Sequence, residues 1–346
     1  MNGFGTGGSL EAQIPGEPVP LQLLDFIREG SKFLIAGHKE PDGDCIGSQL
    51  ALASVLRRMG KESILCSAGP FKRTEIKQYE HLFISAPTEK DKAAARVIIV
   101  DSTDVDRTGD LGPFLEGLPR AVIDHHGIGD FATRAGSAGE PIYVNGKAPS
   151  TTFLILKLIE ALSLEPVREE VDFLFFGLCT DTGFFRHVDK GRAEAFEAAA
   201  ALVRSGASPK STFASIYSGK SLDSRRLIGR ILVKAESLFN GKLILSSEDY
   251  EETCRFGLEN RDSDSLYQLL QSVAEVEAIV LIRQETPEKC SVGFRSGDWV
   301  NVGSIAASFG GGGHKNAAGF SFLGTISEIK PKIIEAFDKV FTQSKQ

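Results

Sequence analysis

The stretch FLIAGHKEPDGDCIGS at positions 33–48 constrains the fold of this chain more than any other. Its apolar run Phe33–Ala36 is typical of a buried strand, and apolar residues then recur at helical spacing beyond the stretch. Strand and helix are joined by a loop that carries the imidazole of His38 and the carboxylates of Asp42 and Asp44. Polar groups in such a loop lie at the carboxyl edge of an open α/β sheet. We therefore expect an α/β fold with its functional groups at that edge.

The two carboxylates of this loop are separated by a glycine that can adopt backbone conformations other residues avoid. Asp42 and Asp44 can therefore turn toward one point. Two unpaired carboxylates at one point repel each other, so a cation is the expected third partner. The loop predicts a metal site.

The composition is that of an acidic globular protein with about two domains. The chain has 346 residues, 42% of them hydrophobic and 25% charged, with a net charge of −7. An acidic chain is poorly suited to gripping long nucleic acid through many phosphates, so no long nucleic-acid track is expected. A small phosphate ligand in a local cationic or metal-lined pocket remains compatible with this charge.

The five cysteines are scattered, odd in number and without a C-x-x-C pair. This pattern favours reduced thiols in a cytoplasmic protein over a disulfide framework or a zinc ribbon. No apolar run approaches the ~20 residues of a membrane span, and the start lacks the features of a secretory signal. No membrane contact is expected, and the Gly- and Pro-rich positions 1–19 predict a flexible tail.

Apolar periodicity predicts alternating strands and helices along the rest of the chain. The continuous β-branched run RVIIV is typical of a strand covered on both faces, as in a parallel sheet. The predicted strands are Phe33–Ala36, Ser63–Ser67, Arg96–Val100, Ala121–Ile123, Lys242–Ser246, Glu277–Arg283, Lys289–Arg295 and Gly319–Phe322. The predicted helices include Leu21–Glu29, Ser150–Leu162, Val167–Cys179, Arg192–Arg204, Leu222–Phe239, Leu266–Ala274, Val302–Phe309 and Ile326–Phe341.

This pattern predicts an α/β protein with two domains. A mostly parallel sheet with helices on both faces is expected at 20–206, and a smaller α/β domain at 241–346. The segment 207–240 is predicted to be a linker with a connecting helix, because Ala207–Ser221 is Ser-rich and shows no clear period.

Further metal-type ligands follow other strands and a buried helix. Asp101 follows one predicted strand, Asp124, His125 and His126 follow another, and Asp181 follows the helix Val167–Cys179. Each feature alone is more typical of a turn, a structural histidine pair or a helix cap. Together they favour a site for Mn²⁺, with Mg²⁺ or Fe²⁺ less well matched. Their number suits two ions about 3.5–4 Å apart, which serve phosphoryl transfer.

Four motifs in this order resemble those of the DHH phosphoesterases: HKEPDGDCIGSQLAL, VDSTDVDRTG, VIDHH and CTDTGFFRH. The later stretch VNVGSIAASFGGGGHKNAAGF resembles the DHH-associated domain. The resemblance covers roughly Leu21–Phe341. Chains of this size with both domains resemble the NrnA type, which hydrolyses short oligoribonucleotides and 3′-phosphoadenosine 5′-phosphate (pAp). Inorganic pyrophosphatases share the first domain but carry a different second one, so the glycine–histidine run argues against them.

The resemblance implies a ligand set for two Mn²⁺ ions. One ion would be held by His38, Asp42 and Asp101, and the other by Asp44, Asp101, His125 and Asp181, with Asp101 bridging. Asp101 would thereby also be catalytic. Asp124 would orient a ligand imidazole, and His126 would face the scissile phosphate or the attacking water.

The resemblance also implies substrate contacts. The expected residues are Arg107, Ser150 and Thr151 in the first domain and Arg295, Ser296, Gly311, Gly312, Gly313 and His314 in the second. Arg295 would meet a terminal phosphate with its planar guanidinium, and the glycines would let backbone N–H groups approach phosphate as a nest does. His314 would stack on a base or bind a phosphate.

The implied activity is hydrolysis of RNA of two to five nucleotides to mononucleotides, and of pAp to AMP. A phosphodiesterase for cyclic di-AMP or pApA stays open, because the residues that separate these activities lie in the second domain. A regulatory protein without catalysis would lack a metal ligand, and none is missing. A DNA exonuclease like RecJ is disfavoured by length and charge. The sequence leaves a homodimer open.

Overall fold

The structure is a computed structural model that describes residues 17–126, 140–297 and 299–343. The predicted tail at 1–19 lies outside the described residues except for its last three. The chain divides into two compact units between Ser218 and Gly219. Among the described residues, no helix is both long and apolar enough to cross a membrane.

Within its described residues, the first unit contains five strands and nine α-helices. The strands are β1 (Lys32–Ala36), β2 (Glu62–Cys66), β3 (Arg96–Val100), β4 (Arg120–Asp124) and β5 (Ile142–Val144). The helices are α1 (Leu21–Glu29), α2 (Gly43–Arg58), α3 (Thr74–Lys77), α4 (Glu89–Lys92), α5 (Gly112–Leu115), α6 (Thr151–Ala161), α7 (Arg168–Asp181), α8 (Ala193–Arg204) and α9 (Pro209–Tyr217). Short 3₁₀ helices span Glu80–Leu82 and Val105–Leu111.

The described strands of the first unit form a wholly parallel sheet in the order β2-β1-β3-β4-β5. Strand residues alternate between two buried faces: Phe33 and Ile35 face one side, and Leu34 and Ala36 the other. The longer helices α1, α2, α6, α7 and α8 pack on the first face, while Leu111 and Leu115 from short helices cover the second. The predicted parallel sheet with helices on both faces is confirmed.

The order of the strands determines where the site can form. Since β1, β3 and β4 are adjacent and parallel, their carboxyl ends lie side by side at one edge. Asp101 comes directly after β3, Asp124 is the last residue of β4, and His38 lies two residues after β1. The sheet itself therefore brings three of the predicted site positions to one edge.

The second unit has a mixed six-stranded sheet among its described residues, in the order β10-β11-β9-β8-β7-β6. Its strands are β6 (Glu236–Leu238), β7 (Leu243–Glu248), β8 (Ala278–Thr286), β9 (Lys289–Ser296), β10 (Gly312–His314) and β11 (Ala317–Leu323). Its helices are α10 (Leu222–Val233), α11 (Tyr250–Phe256), α12 (Ser263–Gln271), α13 (Val302–Ser308) and α14 (Ile326–Gln343). Helices α13 and α14 pack on one face and α10, α11 and α12 on the other.

Several elements differ from the sequence prediction. The segment Ala207–Ser221, which shows no clear period, contains α9, capped by the hydroxyl of Ser208, which accepts the N–H of Ser211. The predicted helix Leu222–Phe239 is wrong at its end, because α10 stops at Val233 and the chain then forms β6, which pairs with β7. Strand β5 and helix α11 were not predicted at all.

Candidate metal centre

The N-terminus of α2 is organised by Asp42, which is its N-cap. One oxygen of Asp42, Oδ1, accepts the N–H groups of Asp44 at 3.0 Å and Cys45 at 3.1 Å. His38 lies nearby, with Nε2 at 4.0 Å from this oxygen and 3.4 Å from Asp101 Oδ2. Because His38 Nδ1 lies 2.9 Å from the carbonyl of Lys39, it is the donor there, which leaves Nε2 as the atom facing the carboxylates.

Asp44 is buried against the start of helix α6. Its Oδ2 accepts the N–H of Thr151 at 2.6 Å, and its Oδ1 accepts the N–H and the hydroxyl of Thr152 at 2.9 and 2.7 Å. A carboxylate is favoured at a helix N-terminus because the first N–H groups there lack partners within the helix. Thr152 thus has a role that sequence reasoning missed, although its place at a helix start was the available signal.

Asp101 lies at the centre of the cluster and is buried. Its backbone has φ +58°, a region that Asp and Asn tolerate better than most residues. Thr151 donates its hydroxyl to Asp101 Oδ1 at 2.9 Å. The same oxygen lies 3.6 Å from His125 Nε2 and 3.7 Å from His126 Nδ1. Asp101 is therefore placed to serve more than one ion.

The two histidines that follow β4, His125 and His126, face different carboxylates. Asp124 Oδ1 accepts both the N–H of His126, at 3.0 Å, and its ring Nδ1, at 2.8 Å. The His125 ring instead turns its Nε2 toward Asp181 Oδ2, at 3.5 Å, and Asp44 Oδ2, at 4.0 Å. Asp181, the last residue of α7, thus reaches the cluster from a helix, not from a strand.

The electrostatics of the site reflect carboxylates held close together. Burial, followed by the charges of Asp101 and Asp181, raises the pKa of Asp44 well above its usual range. Burial and then the charges of Asp101 and Asp42 raise the pKa of Asp181 to about 7. A bound cation would relieve the repulsion among these carboxylates.

His126 and His38, which lie beside these carboxylates, both have raised pKa values. The hydrogen bond to Asp124 raises the pKa of His126 to about 9. Burial opposes charge on His38, but the hydrogen bond to Asp101 and the charges of Asp101 and Asp42 together outweigh it and raise the pKa of His38. Burial works against Asp101 as an anion, yet hydrogen bonding and charge from His38 hold its pKa below the usual value.

The donor set fits divalent cations. His125 Nε2 is a buried nitrogen without a hydrogen-bond partner among the described residues, and it faces carboxylate oxygens. Ligand atoms within 4.8 Å of one another occur in the described groups His38–Cys45–Asp101, Asp101–His125–His126 and Asp44–His125–Asp181. Imidazole and carboxylate together suit Mn²⁺ and similar ions. The predicted ligands His38, Asp42, Asp44, Asp101, His125 and Asp181 thus lie in one neighbourhood.

The three residues predicted to contact substrate in the first unit differ in their exposure to solvent. Arg107 is exposed, and its positive charge opposes the rise in the pKa of His126. Ser150 and Thr151 are fully buried. Ser150 caps α6 by accepting the N–H of Phe153, and Thr151 binds Asp101. Both hydroxyls therefore support the ligands, and a direct contact with substrate stays a prediction.

A cavity of about 210 Å³ lies beside the cluster in the first unit. His125 and Asp181 line it, together with Lys147, His187 and Arg192. Sequence reasoning did not single out these last three residues. His187 ends the motif CTDTGFFRH, which was a signal that could have found it.

The remaining predicted residues lie in the second unit, on β9, on β10 and at Gly311 directly before β10. Arg295 places its guanidinium 4.6 Å from the centre of the Tyr267 ring. Ala317 of β11 pairs with both Arg295 and His314, so these two lie in one row across three strands. Ser296 is buried and donates its hydroxyl to the carbonyl of Val300 at 2.8 Å.

The glycine run forms less of a loop than a phosphate nest would need. Gly312 and Gly313 belong to β10, which pairs with β11, and the N–H of Gly311 donates to the carbonyl of Ala306 at 2.9 Å. A Cβ on Gly311 would lie 2.3 Å from the carbonyl oxygen of Gly319, so close strand packing requires glycine there. Contacts of Gly311, Gly312, Gly313 and His314 with phosphate stay predictions.

Comparisons with known proteins agree with the motifs. Residues 32–178 match the model of the DHH family, N-terminal domain, and residues 240–343 match that of the DHHA1 domain. The chain is 30% identical over 324 residues to the bifunctional oligoribonuclease and PAP phosphatase NrnA of Thermus thermophilus, a match that covers 90% of each.

Two further similarities are more distant. The chain is 26% identical to the cyclic-di-AMP phosphodiesterase GdpP of Bacillus subtilis, covering 92% of this chain and 49% of that protein. The crystal structure of an exopolyphosphatase-related protein from Bacteroides fragilis matches with a TM-score of 0.78 at 22% identity, covering 93% of this chain and 95% of that one. At this identity, the structural match shows the shared fold alone.

Proposed function

This chain belongs to the DHH family of phosphoesterases, and we propose that it is a metal-dependent enzyme that hydrolyses short oligoribonucleotides and pAp. The oligoribonucleotides would be two to five nucleotides long and yield mononucleotides, and pAp would yield AMP. The observation that carries the proposal is the convergence of Asp44, Asp101, His125 and Asp181, in which His125 Nε2 lies 3.5 Å from Asp181 and 3.6 Å from Asp101.

The metal would be Mn²⁺, at two positions that share Asp101. His38 and Asp42 would complete one position, and Asp44, His125 and Asp181 the other. A relative described as a probable manganese-dependent inorganic pyrophosphatase, from Enterococcus faecalis, is 26% identical to this chain over 161 residues and supports a divalent ion. Bound there, such ions supply charge stabilisation for a phosphoryl group and make a water molecule more acidic.

The chain's own groups would hold and protonate the substrate. Asp124 fixes the His126 ring through Nδ1 at 2.8 Å and keeps the ring charged at neutral pH, since its pKa is raised to about 9. The His126 side chain is 44% exposed, so its Nε2, when protonated, could donate to a phosphate oxygen or to the departing oxygen. Arg107 adds a second positive charge close to it.

The choice of a small substrate rests on two observations. The net charge of −7 disfavours binding of long nucleic acid. The NrnA relative matches over 90% of both chains, which supports an oligoribonuclease and pAp phosphatase over the longer GdpP, of which this chain spans 49%. Hydrolysis of cyclic di-AMP or pApA is the second candidate and has weaker support.

A hydrolysis panel tests the proposal. Purified protein with Mn²⁺ is incubated with pAp, RNA of two to five nucleotides, cyclic di-AMP, pApA and a long RNA. We expect fast turnover of pAp and the short RNAs and little of the long RNA. Preferred turnover of cyclic di-AMP or pApA would select the second candidate, and no hydrolysis of any substrate would refute a phosphoesterase.

Two further properties belong to the proposal. We propose a cytoplasmic location, since all five cysteines are unpaired and would stay reduced there. Assembly as a homodimer stays a prediction, to be checked by the mass of the purified protein in solution.

A further inference from the structure

The cavity beside the metal centre carries cationic groups that the proposed chemistry does not use. Its wall on the metal side is formed by His125 and Asp181, and other walls include Lys147, His187 and Arg192. Its volume of about 210 Å³ exceeds the share of several water molecules, each about 30 Å³. A phosphoryl group with some of its waters fits into such a space.

Lys147 offers a charge that no acidic side chain of residues 17–126, 140–297 and 299–343 neutralises. It lies in the loop between β5 and α6, where its N–H donates to Asn145 Oδ1 at 2.9 Å and so holds the turn. Among the described residues, no acidic side chain pairs with its exposed ammonium group. A free ammonium group at the rim of a cavity is a ready partner for an anion.

Arg192 keeps most of its donors available. It precedes α8, and its backbone N–H donates to the carbonyl of Asp189 at 3.2 Å, which shapes the turn. Its guanidinium lies 3.8 Å from Glu194 Oε1, beyond hydrogen-bond distance, and its side chain is 37% exposed. The planar fork of Arg192 can therefore bind two phosphate oxygens at once.

Once a cation is bound at the acidic wall of the cavity, the charge that remains on its lining residues favours an anion. The acidic groups among its lining residues are Asp181 and Asp189. Asp181 faces His125 at 3.5 Å and would bind a cation in the proposed enzyme. Asp189 then remains in the lining against Lys147 and Arg192, of which Arg192 shares its charge with Glu194 at 3.8 Å, and His187 can add hydrogen bonds.

We propose that this cavity is a subsite for a second phosphate group of the substrate, with Lys147 and Arg192 as its cationic ligands. The inference rests on the proposed function, because it takes the scissile phosphate to lie at the metal centre. It deepens that function by naming the substrate class as nucleotides with two phosphate groups. When a nucleotide with a single phosphate group is bound, water fills the subsite.

The test uses Lys147→Gln and Arg192→Gln in the full-length protein loaded with Mn²⁺. Lys190→Gln is the matched control, because Lys190 is exposed in the same segment as Arg192 but does not line the cavity. The KM for pAp is compared with the KM for adenosine 3′-monophosphate, which lacks the second phosphate. Each variant loses a charged hydrogen bond to the second phosphate, so we expect the KM for pAp to rise about tenfold or more. The KM for the monophosphate should change less than about twofold, and Lys190→Gln should change neither.

Calorimetric binding of inorganic phosphate separates this inference from the proposed function. We expect its dissociation constant to rise about tenfold in both cavity variants and to stay unchanged in Lys190→Gln. If the wild-type protein hydrolyses nothing, the proposed function fails, and the phosphate titration alone decides the inference. Equal KM changes for the two nucleotides, or phosphate binding unaffected by both substitutions, would overturn the subsite.

Discussion

Gly177 of α7 lies so close to Thr152 of α6 that a Cβ on the glycine would stand 2.3 Å from Thr152 Cγ2. The same Cβ would lie 2.9 Å from Asp44 Oδ1, the oxygen that accepts both the N–H and the hydroxyl of Thr152. The close approach of two helices and the position of a predicted metal ligand thus depend on one glycine.

Gly177→Ala is expected to disturb both packing and metal binding. Overpacking of a buried contact costs about 1–3 kcal/mol, and the added methyl group displaces Thr152 or Asp44. Unfolding by urea and titration with Mn²⁺ measure the two effects. Gly229→Ala is the control, because a Cβ at Gly229 in α10 meets nothing within 4 Å. That substitution should stabilise by about 0.5–1 kcal/mol, and equal behaviour of the two variants would contradict the argument.

Asp101→Asn should abolish hydrolysis while the fold persists. Asparagine tolerates the φ of +58° and keeps the size of the side chain, whereas alanine would add backbone strain. Loss of a group that orients a metal ligand lowers metal affinity or activity by about 10–100-fold. Loss of the proposed bridging ligand should therefore lower kcat/KM by more than about 100-fold. Asp106→Asn, an exposed neighbour, should retain activity. Wild-type turnover by Asp101→Asn would refute the shared-ligand arrangement.

Removal of divalent ions should lower both activity and thermal stability. Burial and then, in the absence of cations, the repulsion among Asp44, Asp101 and Asp181 raise the pKa values of Asp44 and Asp181. A ligand that binds only the folded state stabilises it by about 2.7 kcal/mol at 100 times its Kd. Dialysis against EDTA should therefore reduce Tm and stop hydrolysis, and Mn²⁺ should restore both. Full activity in protein shown to be metal-free would count against the metal centre.

Glu252 contributes stability to the second unit that is lost at acid pH. Burial opposes its charge, but hydrogen bonds from Lys234, the Asp249 backbone and Arg230 outweigh this and hold its pKa below the usual value. Its stabilisation is therefore present above the pKa of a free glutamate and is lost as pH falls through the lower, folded pKa.

Glu252→Gln should thus cost about 1–3 kcal/mol near pH 7 and progressively less toward acid pH. Urea unfolding of the wild type and the variant across pH 3–7 measures the difference. Glu251→Gln, an exposed neighbour in the same helix turn, is the control and should show little effect at any pH. A difference for Glu252→Gln that stays constant with pH would show that charge is not the cause.

The fold class was predictable because its signals are local. The continuous apolar runs of β1 and β3, whose last four residues are all buried, and the dense apolar residues of α2 and α7 are visible in short stretches of sequence. Elements without such a signal were missed. Helix α9 has no buried residue, so no apolar period marks it, and the three residues of β6 become a strand only by pairing with β7.

The sequence by itself determined which chemical groups stand at the ends of the strands of a parallel sheet, since side-chain alternation and the order of motifs are properties of neighbouring residues. Only the tertiary structure decided which groups meet. Asp44 receives the N–H of Thr151 from 107 positions away, and Lys147 and Arg192 share a cavity although they lie in separate parts of the sequence. Such contacts arise from the packing of whole helices against a sheet, and that packing leaves no pattern in the sequence near either partner.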